Sequence, residues 1–170
     1  MAVLNEEQEM LRDMAREWTV NESPVTEFRK VRASGEPEAF NRDAYATMAQ
    51  MGWAGVIIPE EHGGADFGFL SAGLVVEELG KTLTASPLVM NTVAASAIVL
   101  GGSDEQKARW LPRLASGEAI ATLAVDEGPS HDPAKIETSV SDGKLSGTKA
   151  FVHEAHGADL FVVAAKDGLY

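Results

Sequence analysis

The sequence contains no cysteine among its 170 residues, which excludes disulfide bonds and thiolate chemistry. It also lacks any apolar run of about 18 residues, the length that spans a bilayer. The opening segment Asn5–Glu9 is polar and acidic, whereas a signal peptide begins with a basic segment followed by an apolar one. These absences predict a soluble, cytoplasmic protein that does not associate with membranes.

Positive charge is scarce as well. Lys and Arg together number 14 against 26 Asp and Glu, which gives a formal net charge of −12. Because nucleic-acid binding depends on clustered Lys and Arg, this balance argues against a nucleic-acid partner. It does not exclude a nucleotide-like cofactor, since backbone N–H groups and one or two local cations can hold a pyrophosphate on an acidic protein.

Motifs of the common catalytic and metal sites are also missing. The sequence has no Walker loop, no dinucleotide fingerprint and no nucleophile elbow. Its histidines have neither HExxH spacing nor cysteine partners, so we expect no metal site. The adjacent carboxylates Glu77 and Glu78 point in different directions on a predicted helix, which excludes an acid–base pair. Glu78 is instead expected to cap or pair with a neighbouring helix, and no catalytic residue is assigned.

The first two-thirds of the chain is predicted to be helical. A capping box of Asn5 and Gln8 opens a helix with apolar residues at helical spacing. Pro24 predicts a bend or a new helix, which Gly35 and Pro37 end. The remaining predicted helices are Phe40–Met51 with Gly52 as its stop, Leu70–Lys81, a helix from Pro87 to Gly101 that is apolar nearly all round and therefore buried, and a helix from the capping box Ser103–Gln106 to about Ala115.

After Gly117 the pattern changes to that of short strands. Asp142-Gly143 marks a tight turn, and Asp167-Gly168 marks a second turn with only two residues after it. The predicted strands are Ala119–Val125, the alternating segment Ile136–Val140, Leu145–Val152 and Asp159–Lys166. Because no strand returns after the second turn, the sheet is predicted to be unfinished and the chain to be a fragment.

These patterns predict an α+β fold. An all-α N-terminal helical domain is expected at residues 1–117, followed by an incomplete antiparallel β domain at residues 118–170. No repeat and no low-complexity segment interrupts either part.

Several segments carry a family resemblance through their order and spacing. They are LNEEQEMLRDMAREW, MGWAGVIIPEEHGG, LVVEELGK, SPLVMN, GGSDEQKARWLPRLASGE, LSGTKAFV and ADLFVVAA. Together they resemble the acyl-CoA dehydrogenase family from Leu4 to the end of the chain. The resemblance implies a helical N-terminal domain, a β middle domain and a C-terminal helical bundle, of which the last is absent from this chain.

The resemblance also implies a chemistry. Enzymes of this family hold FAD and remove two hydrogens from the α and β carbons of an acyl-CoA thioester, as a glutamate takes the α proton and hydride passes to the flavin. The glutamate and much of the FAD contact belong to the C-terminal domain, so we expect the 170 residues alone to be inactive. The family further implies tetramers, either homomeric or heteromeric.

The segment LAVDEGPSHD resembles the first flavin-facing loop of the family. The resemblance assigns Leu123, Val125 and Asp126 to cofactor binding, with Asp126 in the place of a hydroxyl that donates to the flavin. An ionised carboxylate offers only acceptors and a negative charge there, which opposes the reduced flavin anion. His131 stands about where the family has a small serine, and it is assigned to the substrate site.

The segment FVHEA resembles the second flavin-facing loop. The resemblance assigns Phe151 to stack against the flavin and places the imidazole of His153 where the family has a hydroxyl near N5. The helix Ser86–Leu100 corresponds to one that lines the acyl pocket, which assigns Val89 and Val93 to substrate binding. The alternative for these two valines is a place in the core.

Three functions are compatible with these observations. The first is an FAD-dependent acyl-CoA dehydrogenase with an unusual flavin loop. The second is the FAD-site-degenerate subunit of a heteromeric dehydrogenase, a type found in this family among enzymes that act on steroid-derived acyl-CoAs. The third is a flavin-free binding scaffold. The altered residues Asp126 and His153 favour the second, whereas the retained scaffold favours the first.

Overall fold

The computed structural model describes residues 3–170, with six α-helices preceding a small set of strands. Every helix predicted from the sequence is present, with bounds that agree to within a few residues. The helices are α1 (Glu6–Glu22), α2 (Val25–Ser34), α3 (Arg42–Gln50), α4 (Gly68–Lys81), α5 (Leu88–Gly101) and α6 (Asp104–Ala115). Within residues 3–170, no helix is both long and apolar enough to cross a membrane.

The helix ends follow local signals in the sequence. At the start of α1, Asn5 Oδ1 accepts from the N–H of Gln8 at 2.8 Å, and the N–H of Asn5 donates to Gln8 Oε1 at 3.1 Å. Ser103 and Gln106 form the same reciprocal pair at the start of α6. Gly52 adopts a φ of 81°, which ends α3 without steric cost. Both predicted capping boxes and the glycine stop are confirmed.

The core of the helical part is centred on the segment after α3. Residues 53–58 are all buried, and the Trp53 ring meets the Trp18 ring edge-on with centroids 5.5 Å apart. Gly64 folds back onto this segment, and a Cβ at Gly64 would collide with the carbonyl oxygen of Ile58. The IPEEHGG loop is therefore compact, because the absence of a side chain at Gly64 lets its backbone lie directly against that of Ile58.

Helix α5 is buried on one side only. Asn91, Ala94 and Ala95 face the core, where α5 packs on α6 and on the first strand. Val89 and Val93 lie on the opposite side and are 46% and 37% exposed. The prediction that this helix is buried nearly all round is therefore wrong for one face, since its apolar composition does not reveal which side has a partner.

The five strands are short. They are β1 (Ala121–Ala124), β2 (Ser139–Ser141), β3 (Lys144–Ser146), β4 (Leu160–Ala165) and β5 (Gly168–Leu169). The predicted hairpin of β2 and β3 turns at Asp142-Gly143, where both residues have positive φ. β4 and β5 form a second hairpin in which Gly168 itself begins the returning strand, so the prediction that no strand returns is wrong.

The α+β class is confirmed, but the sheet is not antiparallel throughout. β1 and β4 pair in parallel, with Ala121 opposite Leu160 and Ala124 opposite Val163. Parallel pairing needs a long connection between the two strands, and residues 125–159 supply it. The β2–β3 hairpin lies within that connection as a separate two-stranded sheet.

The return strand predicted at Leu145–Val152 ends at Ser146. Gly147 then passes so close to Thr138 that a Cβ would collide with the threonine side chain. Further along, Phe151 adopts a φ of 53°, which no regular strand contains. The prediction was therefore too long, because residues 147–152 leave the hairpin and approach the end of β1.

A buried amide joins β1 to the helices. Asn91 on α5 is fully buried; its Oδ1 accepts from the N–H of Ala121 at 3.0 Å, and its Nδ2 donates to the carbonyl oxygen of Leu114 at 3.5 Å. Asn91 thus satisfies a backbone donor on the side of β1 that β4 does not occupy. The division into domains at residues 117 and 118 stays a prediction.

Candidate functional site

The two segments singled out by the family resemblance meet at the carboxyl end of β1. Thr122 Oγ1 donates to the carbonyl oxygen of His153 at 2.7 Å. The N–H of Ala150 donates to the carbonyl oxygen of Asp126, also at 2.7 Å. The structure therefore brings together both groups of residues that were predicted to bind the cofactor.

Phe151 presents its ring to solvent. Its side chain is 72% exposed, and its φ of 53° is uncommon for a bulky residue. Leu123 and Val125 on the neighbouring segment are half-buried. An exposed aromatic ring offers a flat apolar face on which a planar ligand can stack.

Asp126 and His131 form a pair at the surface. His131 Nδ1 lies 2.8 Å from Asp126 Oδ1, and the imidazole is 68% exposed. Such an exposed pair contributes little to stability because water and salt screen it. Its consequence is local, since a protonated His131 would offset the negative charge of Asp126.

Glu127 is the most heavily hydrogen-bonded side chain of this region. Its Oε2 accepts from the N–H of Glu137 at 2.6 Å, and its Oε1 accepts from the N–H of Thr138 at 2.9 Å, from the Thr138 hydroxyl and from Lys149 Nζ at 2.7 Å. Hydrogen bonds from Lys149, the Thr138 hydroxyl and the Glu137 N–H, in that order, lower the pKa of Glu127 to about 2. The carboxylate is therefore an anchor and not a proton donor at neutral pH.

The turn after β1 also offers backbone donors. Within the described range 3–170, the N–H groups of Asp126 and Glu127 donate to no protein atom. Two adjacent free N–H groups are able to donate to a carbonyl oxygen of a bound ligand.

The predicted substrate residues fall in two places. Val89 and Val93 are exposed along α5, so they do not belong to the core of the described residues, and their part in substrate binding stays a prediction. His131 contacts Asp126 within the segment LAVDEGPSHD, and its part in substrate binding stays a prediction. Across residues 3–170, no group of three His, Cys, Asp or Glu side chains is placed to hold a metal ion.

Sequence reasoning missed the buried hydrogen bonds of Lys149 and Asn91. Lys149 was read as part of a strand, yet its side chain is only 10% exposed and bonds to Glu127. Asn91 was read as part of an apolar helix, yet its amide binds β1. The available signal was a polar residue inside an apolar stretch, because such a residue needs a partner when it is buried.

The comparisons with known proteins agree on one family. Residues 5–118 match the family described as "Acyl-CoA dehydrogenase, N-terminal domain". Acryloyl-CoA reductase (NADH) of Anaerotignum propionicum is 31% identical over 95% of this chain and 42% of its own length. The chain thus spans less than half the length of this curated relative.

Solved structures show the same architecture. The chain superposes on the Tcur3481–Tcur3483 steroid ACAD with a TM-score of 0.86 and 32% identity, covering 96% of this chain and 46% of that one. The ChsE4–ChsE5 complex of Mycobacterium tuberculosis gives 0.84 and 25%, covering 99% and 47%. An acyl-CoA dehydrogenase of Bacillus anthracis complexed with FAD gives 0.81 and 27%, covering 97% and 30%. The chain belongs to the acyl-CoA dehydrogenase family.

Proposed function

We propose that this chain is part of an FAD-dependent dehydrogenase that removes two hydrogens from the α and β carbons of an acyl-CoA thioester. The observation that carries the proposal is the hydrogen-bonded meeting of the Asp126 and Phe151 segments at the end of β1. An exposed ring and two free N–H donors lie on these adjoining segments, and they fit a flat ligand with carbonyl groups at one edge. Family membership and the FAD complex of the Bacillus anthracis relative support this reading.

Each residue has a proposed part in binding. The ring of Phe151 would stack on the flavin, with Leu123 and Val125 as apolar contacts. The N–H groups of Asp126 and Glu127 would donate to carbonyl groups of the cofactor, and His153 would take the place of the family's hydroxyl. Bound FAD supplies the hydride acceptor, while these residues hold and orient it.

The acyl-CoA site is proposed along α5. Val89 and Val93 are one helical turn apart on the same exposed face, which gives an apolar stripe for an acyl chain. His131, on the segment LAVDEGPSHD, would also contact this substrate. The glutamate that takes the α proton is expected in the C-terminal helical domain of the family, and assembly into a tetramer is expected to complete the site.

A second candidate is a subunit whose own flavin site is altered and which works beside a competent partner. The specific observation is Asp126, whose carboxylate accepts hydrogen bonds and carries a charge that opposes an anionic reduced flavin. Two of the structural relatives carry paired names, Tcur3481–Tcur3483 and ChsE4–ChsE5. Pairing with an unlike subunit would let this chain supply α5 and the scaffold.

The visible absorption spectrum of the full-length chain tests these candidates. The protein is purified once after expression alone and once after co-expression with its genomic neighbour. Flavin absorption in the first sample that corresponds to about one FAD per protein chain supports a self-sufficient dehydrogenase. A colourless first sample and a yellow second sample support the altered subunit. No flavin in either sample overturns both and leaves a binding scaffold.

A further inference from the structure

Lys149 lies between the two flavin-facing segments and bonds to one of them directly. Its Nζ donates to the carbonyl oxygen of Val125 at 2.8 Å and to Glu127 Oε1 at 2.7 Å. The next residue, Ala150, donates its N–H to the carbonyl oxygen of Asp126 at 2.7 Å. Three consecutive residues of the first segment are thus bonded to the two residues that directly precede the second.

The ammonium group of Lys149 is held in place by Glu127, whose carboxylate is itself fixed by other hydrogen bonds. Glu127 accepts its hydrogen bond while also accepting from the N–H groups of Glu137 and Thr138, so the carboxylate cannot turn away without losing several bonds. The side chains of Lys149 and Glu127 are 10% and 17% exposed. A charge-assisted bond is stronger than a bond between neutral groups, and low exposure reduces its screening by water.

We propose that Lys149 is a positioning residue that fixes the spacing of the two flavin-facing segments. The proposal rests on the proposed function, because it assigns Lys149 a role in arranging the flavin surface without touching the flavin. Without the ammonium, the Val125 carbonyl and the Glu127 carboxylate each lose a donor. The second segment then keeps the bond from Ala150 to Asp126 and the bond from Thr122 to His153, so Phe151, which lies between them, is held less firmly.

The ammonium also explains why the loop tolerates two adjacent acidic residues. Lys149 offsets the charge of Glu127, and its hydrogen bonds are directed to Glu127 and Val125. Asp126 instead contacts the imidazole of His131, with 2.8 Å between Asp126 Oδ1 and His131 Nδ1. Lys149 therefore acts on Glu127 and Val125 and not on the charge of Asp126.

The test compares three variants of the full-length chain, co-expressed with its neighbour if the wild type needs it. Lys149→Met removes the ammonium and keeps an unbranched apolar stem, and Lys149→Arg keeps the charge. Lys135→Met is the matched control, because Lys135 pairs with Asp132 in the same connection but is 82% exposed. Hydrogen exchange of the Ala150 and Thr138 amides, FAD titration and the flavin absorption band are measured for each.

For Lys149→Met we expect Ala150 and Thr138 to exchange faster by about 10- to 100-fold, since a charge-assisted bond is lost. FAD should bind more weakly by about tenfold and its absorption band should move, while amides in α1 keep their exchange rates. Lys149→Arg should restore most of the FAD affinity, and Lys135→Met should match the wild type.

Unchanged exchange at Ala150 and Thr138 in Lys149→Met would overturn the claim that Lys149 holds these segments together. Faster exchange with unchanged FAD affinity would overturn the positioning role and leave Lys149 as a structural residue. A wild-type chain that binds no FAD in any assembly would instead contradict the proposed function, and the exchange measurement would still report on the bonds of Lys149. The two failures are therefore distinguishable.

Discussion

Arg16 on α1 reaches the buried carboxylate of Glu78 on α4, with 3.1 Å between Arg16 Nη2 and Glu78 Oε1. Lys81 donates to the same oxygen at 2.8 Å, so one buried carboxylate is held by two half-exposed cations. Burial on its own raises the pKa of Glu78, but the hydrogen bonds from Lys81 and Arg16 outweigh it and lower that pKa. Glu78 therefore pairs with the neighbouring helix, as the sequence predicted, and joins α1 to α4.

Glu78→Gln should destabilise the chain by about 1–2 kcal/mol, because the buried side chain loses charge-assisted bonds while its cationic partners return to water. Glu77→Gln is the matched control, since Glu77 is 66% exposed and 3.3 Å from the same lysine. Urea unfolding followed by tryptophan fluorescence measures both. Equal losses in the free energy of unfolding for the two variants would show that the buried pair of Glu78 stabilises the chain no more than the exposed pair of Glu77.

Glu127 should make stability depend on pH in the acid range. Its folded pKa of about 2 lies below its ordinary value of 4.5, so its contribution is fully present above about pH 4.5. It is lost as the pH falls from there toward about 2, because the unfolded chain takes up the proton first. The difference in Tm between wild type and Glu127→Gln should therefore shrink across this window.

The control for this titration is Glu137→Gln, whose side chain is exposed in the same connection. Thermal unfolding of the three proteins at several pH values between about 2 and 7 gives the comparison. A gap between wild type and Glu127→Gln that stays constant down to about pH 2 would contradict the assigned pKa.

Local signals in the sequence were enough for the helices but not for the sheet. The capping boxes of Asn5 and Ser103 and the stop at Gly52 act within one helical turn, so residue order alone reveals them. The parallel pairing of β1 and β4 depends on partners that the long connection separates. No pattern within either strand specifies which neighbour it meets.

The candidate site, like the fold, was predicted from the sequence only in part. The family resemblance identified the Asp126 and Phe151 segments, and the structure brings them together. It did not reveal that Lys149 bonds to both Val125 and Glu127, because a lysine in an apparent strand is normally solvated. The exposure of Val89 also depends on where other elements pack, which the composition of α5 does not encode.

Asn91→Leu should destabilise the chain by about 2 kcal/mol, because it leaves the buried N–H of Ala121 without an acceptor. Asn21→Leu is the matched control, an asparagine on the exposed surface of α1. Thermal unfolding measures the loss, and hydrogen exchange at Ala121 locates it. Full stability with slow exchange at Ala121 would show that another group accepts this hydrogen bond.

Asp126→Asn should strengthen FAD binding by about tenfold in the full-length protein, because it removes a negative charge and adds an amide donor at the pyrimidine edge. The variant Asp132→Asn removes a charge of the same sign from the same connection and serves as the control. FAD titration by fluorescence quenching compares the three proteins. Weaker binding in Asp126→Asn would place Asp126 away from the flavin or give its carboxylate a favourable role.

Val93→Thr tests whether the exposed stripe of α5 belongs to the acyl site. Because Val93 is 37% exposed, exchange of one methyl for a hydroxyl should change stability by less than about 0.5 kcal/mol. In the assembled dehydrogenase, the KM for acyl-CoA should rise several-fold if a buried acyl chain loses an apolar contact there. Val20→Thr on α1, 62% exposed, is the control and should leave both quantities unchanged. A fall in Tm of several degrees with unchanged KM would show that Val93 packs against another part of the assembly, and the substrate would then have to lie elsewhere.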